Sequence, residues 1–540
     1  MTADLILHNA IICTVDPVQQ TASAMAMKDG RLTYVGDSDT AMQYANEHTD
    51  VRDMAGAFLM PGIVDGHNHP ALAGRTALFE LEIPEIASFE EILELIECRA
   101  STQPEGTWIV GAGWNVGLLE QLNTATALQA FDAVSNGCPI VLVDNSRHNR
   151  WANTEAMHLG DVTSDTEGAM YDAQGNPSGV LLERAGLPVA YAAARQGGRS
   201  TEQEQQAYHH SLEILHSYGI TAFQDAGVTE EILRALHGMD SAGELDAWVV
   251  SSLLMNDEVL GAEVLGVSLL EQAEEHSSEH HRPSFVKIFL DGIPPSRTSA
   301  MLEPYLEDTH HGCGFCGSTI LSPDELYEAL KTAAERGFGA KIHSTGDAST
   351  RLILDTVEQL KSDGWHLRCQ IAHGQYVADE DIVRFKELDV AADISPYFWY
   401  PSPVLDAIKT AVPEQRAERI HPNRDLLDAG VLVSAGSDWP VSPVPNPWHA
   451  LAGLVTRQDP TATYPGALWP EQAITLEQAL EVMTLNGARM IGVDDVTGAL
   501  VAGLSADFVV LNHNPFELDP ADLGTLAPVE TWFAGTKVFG

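Results

Sequence analysis

Short apolar runs of strand length recur along the middle of the chain, and helix-length amphipathic segments such as DELYEALKTAAERG and DEDIVRFKELD separate them. Strand alternating with helix implies a parallel sheet, because two parallel neighbours need a crossover that a helix supplies. The runs are AFLMPGIVDGHNHP, GITAFQDAG, DAWVVSSLLM, SFVKIFLDG, GFGAKIHSTGD, RCQIAHGQ, DVAADISP and VLVSAGSDWP. Eight is the number that closes a (β/α)8 barrel, so an α/β fold of the TIM-like kind is predicted.

The two ends of the chain follow another rhythm. ADLILHNAIICTVD and AMAMKDGRLTYVGD alternate apolar and polar residues with turn signals between them, and so do SADFVVLNHNPFEL and VETWFAGTKVFG near the end. This pattern predicts a small β-sandwich built from residues 1–58 and 496–540, flanking a barrel over 59–495. About 150 residues separate the first and second runs, far more than one crossover helix needs. An inserted subdomain over about 75–200 is therefore expected, with GTWIVGAGWN and CPIVLVDNSRHNRWAN as strands and loops able to fold over the barrel mouth. No solenoid repeat or low-complexity segment interrupts this plan.

A chain of 540 residues with 44% hydrophobic content can bury a large core. Its 29 basic against 77 acidic side chains give a net charge of −48, spread over every segment. Such a surface repels nucleic acid and anionic membranes; it suits a salt-adapted cytoplasm or an ordinary acidic enzyme equally, since net charge bears on solubility and not on fold. The start of the chain has no basic region followed by an apolar stretch and a small-residue cleavage site, and no apolar run reaches the roughly 18 residues of a membrane span. The expected location is cytoplasmic. The expected partner is a small-molecule substrate, not nucleic acid or a membrane, and pairing into a homodimer is left open. Cys313 and Cys316 in HHGCGFCG, beside His310 and His311, have zinc-like spacing but no second matching pair, so a flexible glycine-rich loop or an occasional disulfide is the better reading.

The polar residues closing the apolar runs are of one chemical kind. His67 and His69 end the first run, Lys287 lies in the fourth, His343 ends the fifth, His373 the sixth and Asp438 the eighth. In a barrel the carboxyl ends of all strands meet on one face, so these residues would share a pocket. His67 and His69 stand at period two and point to one side of a strand, as two ligands of one ion must. Imidazole and carboxylate suit a divalent metal, zinc first, with manganese, iron, cobalt or nickel as substitutes.

PGIVDGHNHP, VKIFLDG, KIHSTGD, IAHGQ and SAGSDWPV, in this order, resemble the amidohydrolase superfamily, in particular its family 3 branch. SGVLLERA, SRTSAMLEPY, NRDLLDAGV and ITLEQALEVMTLNGARMIG extend the likeness over essentially the whole chain. The resemblance implies that His67, His69 and Asp438 bind one ion, that His343 and His373 bind a second, and that a carboxylated Lys287 bridges them. An unmodified lysine is a cation and would repel the ions, so without the modification a single-ion site is expected. Two motifs depart from the family pattern, at Ser344-Thr345 and at Ala372, without touching the ligand positions.

The expected activity is hydrolysis of a non-peptide C–N bond, in an N-acyl or N-formyl amine or a cyclic amide, by metal-activated hydroxide. Deamination or ester hydrolysis on the same site, and a non-catalytic binding or regulatory barrel, are the alternatives. Asp438 is the candidate proton shuttle, and His148 in the inserted segment the candidate donor to the developing oxyanion. Arg297 is a candidate clamp for a substrate carboxylate or carbonyl and Asp225 a further substrate contact; Trp399 and Trp439, in an aromatic cluster with Tyr397, Phe398 and Tyr400, would favour an apolar group.

Overall fold

A computed structural model describes residues 2–308 and 311–540. Eight parallel strands form one sheet in chain order: β1 (Ile63–Asn68), β2 (Ile220–Val228), β3 (Trp248–Leu254), β4 (His281–Phe289), β5 (Gly339–Ser344), β6 (Cys369–His373), β7 (Val390–Asp393) and β8 (Val433–Ser434). The last strand returns to the first, where the Gly66 N–H donates to the Ala435 carbonyl at 2.9 Å and the Asp438 N–H to the His67 carbonyl at 2.7 Å. The sheet is a nearly closed TIM-like barrel.

Burial explains the composition of these runs. Every residue of β2 and β3 is buried, because barrel strands face a packed interior on one side and helices on the other. The surrounding helices carry an apolar stripe and explicit start signals. In the helix Pro323–Glu335, Ser322 and Glu325 form a capping box, proline opens the first turn, and Leu326, Leu330 and Ala333 face the core.

The first predicted run divides into two elements. Phe58–Pro61 belongs to a second sheet, pairing with Phe508–Leu511 and Ile11–Cys13, and only Ile63 onward enters the barrel. The joint is Gly62, where a Cβ would stand 2.1 Å from Thr221 Oγ1. Residues 59–61, read from the sequence as barrel, are therefore sheet neighbours of the chain end.

Both chain ends contribute to that six-stranded sheet, and residues 5–53 add a four-stranded one. Leu5, Met25 and Leu32 from the one and Ile12, Leu59, Phe508 and Trp532 from the other share a core. Between β1 and β2 lies a third sheet of six strands, from Leu81–Glu82 to Pro177–Leu182, with a core around Ile92, Trp114, Phe131 and Trp151. No helix among the described residues is long and apolar enough to cross a membrane. Cys313 is exposed and Cys316 half-buried, both as free thiols, while His310 lies outside the described residues.

Candidate metal centre and pocket

The carboxyl ends of the strands bring the predicted ligands together. Asn68 closes β1, so His67 points inward from the strand and His69 stands at the start of the helix Pro70–Phe79. His69 Nε2 lies 3.3 Å and His67 Nε2 3.5 Å from Asp438 Oδ1. The ligand atoms of these three residues fall within 4.8 Å of one another. His373 follows at 3.8 Å from Asp438 Oδ2, and its ring centroid is 4.9 Å from that of His67 and 4.4 Å from that of His343. Lys287 Nζ reaches to 3.5 Å from His67 Nε2.

The motif around Asp438 follows from close packing. A Cβ on Gly436 would sit 2.5 Å from His67 Cβ, so glycine alone lets β1 and β8 approach. Ser437 donates through its N–H and its hydroxyl to Asp65, at 2.9 and 2.6 Å, which pins the turn. Asp438 then takes a left-handed backbone, φ 54, that aims its carboxylate at the histidines; His373 does the same with φ 76. Non-glycine residues held in this region are expected where surrounding structure imposes a functional geometry.

Electrostatics favours neutral imidazoles. Burial first, and then the Lys287 and Lys341 amines, hold His67 well below the usual histidine range. Burial and His148 do the same for His343, and burial and His343 for His373. Burial brings the Lys287 amine down to about 7, against the opposing pull of Asp438. Neutral rings offer lone pairs, and the other ring nitrogens are already oriented. His67 Nδ1 lies 2.6 Å from Asp393, His373 Nδ1 3.3 Å from the Ser395 carbonyl, and His343 Nε2 3.0 Å from the Gly292 carbonyl. His373 Nε2 and His69 Nδ1 are buried with no hydrogen-bond partner among the described residues. A set of neutral imidazoles, a carboxylate and orphaned ring nitrogens fits a divalent cation.

The sequence model of the amidohydrolase family matches residues 50–539. The chain belongs to the amidohydrolase family. N-substituted formamide deformylase of Arthrobacter pascens is 28% identical to it over 560 residues, covering 98% of this chain and 97% of the relative. Protein LONG AFTER FAR-RED 3 of Arabidopsis thaliana is 25% identical, over 100% of this chain and 92% of its own. Among solved structures, an uncharacterized metal-dependent hydrolase from Pyrococcus horikoshii ot3 aligns with a TM-score of 0.75 at 22% identity, over 96% of this chain and 99% of that one, a likeness of fold.

In this amidohydrolase the remaining predicted residues divide. His148 lines the same pocket as His343, His373 and Asp438, and its Nδ1 is 2.7 Å from Glu183 Oε2. Burial alone would lower the His148 pKa, but the Glu183 carboxylate beside it raises it overall. Asp225 is buried behind His69, 3.9 Å from its Nδ1, and accepts from the Tyr208 hydroxyl, so it supports the cluster from the core side. Arg297 pairs with Asp308 at 2.7 Å and donates to the Ala411 carbonyl; Trp399 is fully buried with its indole N–H on the Ile394 carbonyl; Trp439 packs in the barrel core. None of these three is among the residues lining the pocket; the apolar wall comes instead from Phe398, Val404, Ile408, Val441 and Ile293–Pro295.

Three residues beyond those read from the sequence complete the support. Glu183, left-handed with φ 49, holds His148 and also accepts from Thr298 at 2.7 Å. Asp393 closes β7 and joins His67 to the wholly buried Lys341, whose amine is 2.6 Å away. Breaking a buried ion pair from one side leaves an uncompensated charge. Asp393→Ala is therefore expected to destabilise the protein by about 3–5 kcal/mol, read as a fall in the denaturant midpoint. An unchanged midpoint would mean that Lys341 is held neutral and needs no counter-charge.

Proposed function

We propose that the protein is a metal-dependent hydrolase of non-peptide C–N bonds, acting on N-formyl or N-acyl amines or on cyclic amides. The observation that carries this reading is the convergence of His67, His69 and Asp438 with His343, His373 and Lys287 at one barrel mouth. Full-length similarity to a formamide deformylase supports the amide class. His67, His69 and Asp438 would hold one ion, His343 and His373 a second, and Lys287, as its carbamate, would supply the anionic bridge. Zinc suits this donor set best. The two terminal sheets with their common core would form a β-sandwich, residues 1–58 and 496–540, against the barrel.

A divalent ion bound there supplies a Lewis acid for the carbonyl and lowers the pKa of water. The chain's own residues supply the proton traffic. Asp438 takes the proton of the attacking water on its carboxylate and returns it to the nitrogen as the C–N bond breaks, which spares the amine from leaving as an anion. His148, fixed through Nδ1 by Glu183, keeps Nε2 for the carbonyl oxygen, where negative charge develops. The apolar wall excludes water and receives the substituent on carbon or nitrogen.

Protein loaded with zinc should release formate or carboxylate from a panel of N-substituted formamides and N-acyl amines, and chelation should abolish release until metal is restored; full metal loading with no product from either class would sink the amide assignment. His148→Gln should lower kcat by about 100-fold or more, the loss seen when one oxyanion donor is removed, with smaller change in KM. Unaltered kcat would leave His148 a packing residue.

A further inference from the structure

His421 uses none of the interactions described so far. It is 1% exposed and lines the same pocket as His148, His373 and Asp438. Its backbone is left-handed, φ 58, and its main chain is fully engaged: the N–H donates to the Gln375 carbonyl at 2.9 Å, and the carbonyl accepts from the Asn423 N–H at 2.8 Å. Arg457, wholly buried, adds a contact to the His421 carbonyl at 3.4 Å and donates to the carbonyls of Ile420 at 3.0 Å and Leu468 at 2.8 Å. That guanidinium is spent on holding this turn in place.

The side chain presents the opposite picture. Neither ring nitrogen of His421 makes a hydrogen bond of ordinary geometry among the described residues, and the nearest acceptor to the ring is the main-chain carbonyl of His373. Buried polar groups are normally hydrogen-bonded, and an imidazole fixed rigidly in a pocket wall, with one nitrogen near a carbonyl and the other without a partner, is placed for a ligand. The other polar lining groups are largely committed. Asn145 bonds Glu85 and the Val116 N–H, Ser146 bonds Asp144, and Thr345 bonds the Gly292 carbonyl. Phe398, Val404 and Ile408 supply apolar lining in the same pocket. Among the described residues no lysine or arginine lines the pocket, and Arg297 and Arg416 from neighbouring segments are paired with Asp308 and Asp347. A substrate carboxylate carried to the His421 side, away from the metal ligands, would be buried there with no lysine or arginine as its counter-charge.

We propose that His421, in a pocket that Gln375 also lines, is a substrate-binding residue that selects uncharged amides carrying an apolar chain with one hydroxyl, ether or amide group, against amides carrying a carboxylate. This rests on the amide reading above, and the test separates the two. In Asp438→Asn protein whose zinc content is verified, turnover is slowed by about 10²–10⁴-fold, so binding is read by calorimetry on that slower timescale with N-(ω-hydroxyalkyl)formamides of two to six carbons, the matched N-alkylformamides and the matched N-formyl ω-amino acids. At one chain length the hydroxyl compound should bind about 10-fold tighter than its alkyl partner, and the carboxylate weakest of the three.

His421→Gly removes the ring where glycine suits the backbone, and the hydroxyl and alkyl Kd values should converge. His421→Asn, which tolerates the same backbone and keeps a donor and an acceptor, should restore part of the preference. The proposal is overturned if no chain length shows a preference that depends on His421, if the carboxylate binds tightest, or if none of the amides binds. A His421-dependent preference together with no turnover by the wild-type enzyme would uphold the assignment of His421 and overturn the amide hydrolase reading instead.

Discussion

Replacing Asp438 by asparagine should lower kcat by about 10²–10⁴-fold, the range of a lost general acid–base group. The substitution isolates the proton function. Asparagine matches aspartate in size and adopts the left-handed backbone that position 438 requires, φ 54. The Gly436 and Ser437 contacts that close the barrel do not involve the carboxylate. The substituted amide cannot take up the proton of water, and the amine then has to leave as an unprotonated anion. Metal content measured beside kcat separates this loss from weakened coordination, since Asp438 Oδ1 also faces both His67 and His69. Activity within about tenfold of the wild type, below the range for a lost acid–base group, would remove Asp438 from the proton path.

Lys287→Ala should be nearly as severe. The side chain is 1% exposed, with its amine 3.5 Å from His67 Nε2 and 5.0 Å from the Phe289 ring centroid. A permanent cation there would oppose any ion at the histidines. Burial brings the amine down to about 7, so near neutrality a large fraction carries a free lone pair. That lone pair can form an N–C bond with carbon dioxide, releasing one proton to solvent and leaving an anionic carbamate. Alanine supplies neither charge nor oxygen, and the activity should fall by at least the roughly 10–100-fold that follows loss of groups merely supporting a ligand. Wild-type enzyme reconstituted without bicarbonate should load poorly and recover when bicarbonate is added. Indifference to both manipulations would make Lys287 a structural lysine of the barrel.

The barrel was legible because its signal is local: the apolar runs are short, most end in a polar residue, and helices such as Pro323–Glu335 and Asp379–Glu387 follow them with an apolar stripe. His67, His69, His343, His373 and Asp438 declare themselves by that position alone, and β4 and β5 set Lys287 opposite Lys341 in register. The same rule, applied to the seventh run, ends on Asp393, which would have identified the partner of His67. Glu183 and His421 give no such signal. Both take left-handed conformations imposed by distant chain segments, Thr298 and Glu183 across 115 residues, Arg457 and His421 across 36. The aromatic cluster after the seventh run misleads for a related reason. Trp399 turns its indole inward to the Ile394 carbonyl, while Phe398 next to it faces the pocket, and only the local turn decides between them. Arg297 likewise meets Asp308, an ion pair of loop residues that no periodicity announces.

The most direct test of the bridged metal centre is divalent metal content by plasma mass spectrometry, on protein purified without chelator and on Lys287→Ala prepared in parallel. The wild type is predicted to hold about two ions per chain, as a bridged two-metal hydrolase requires, falling to one or none in the variant. A wild-type protein that holds no ion, and takes up none from added zinc or manganese with bicarbonate, would contradict it.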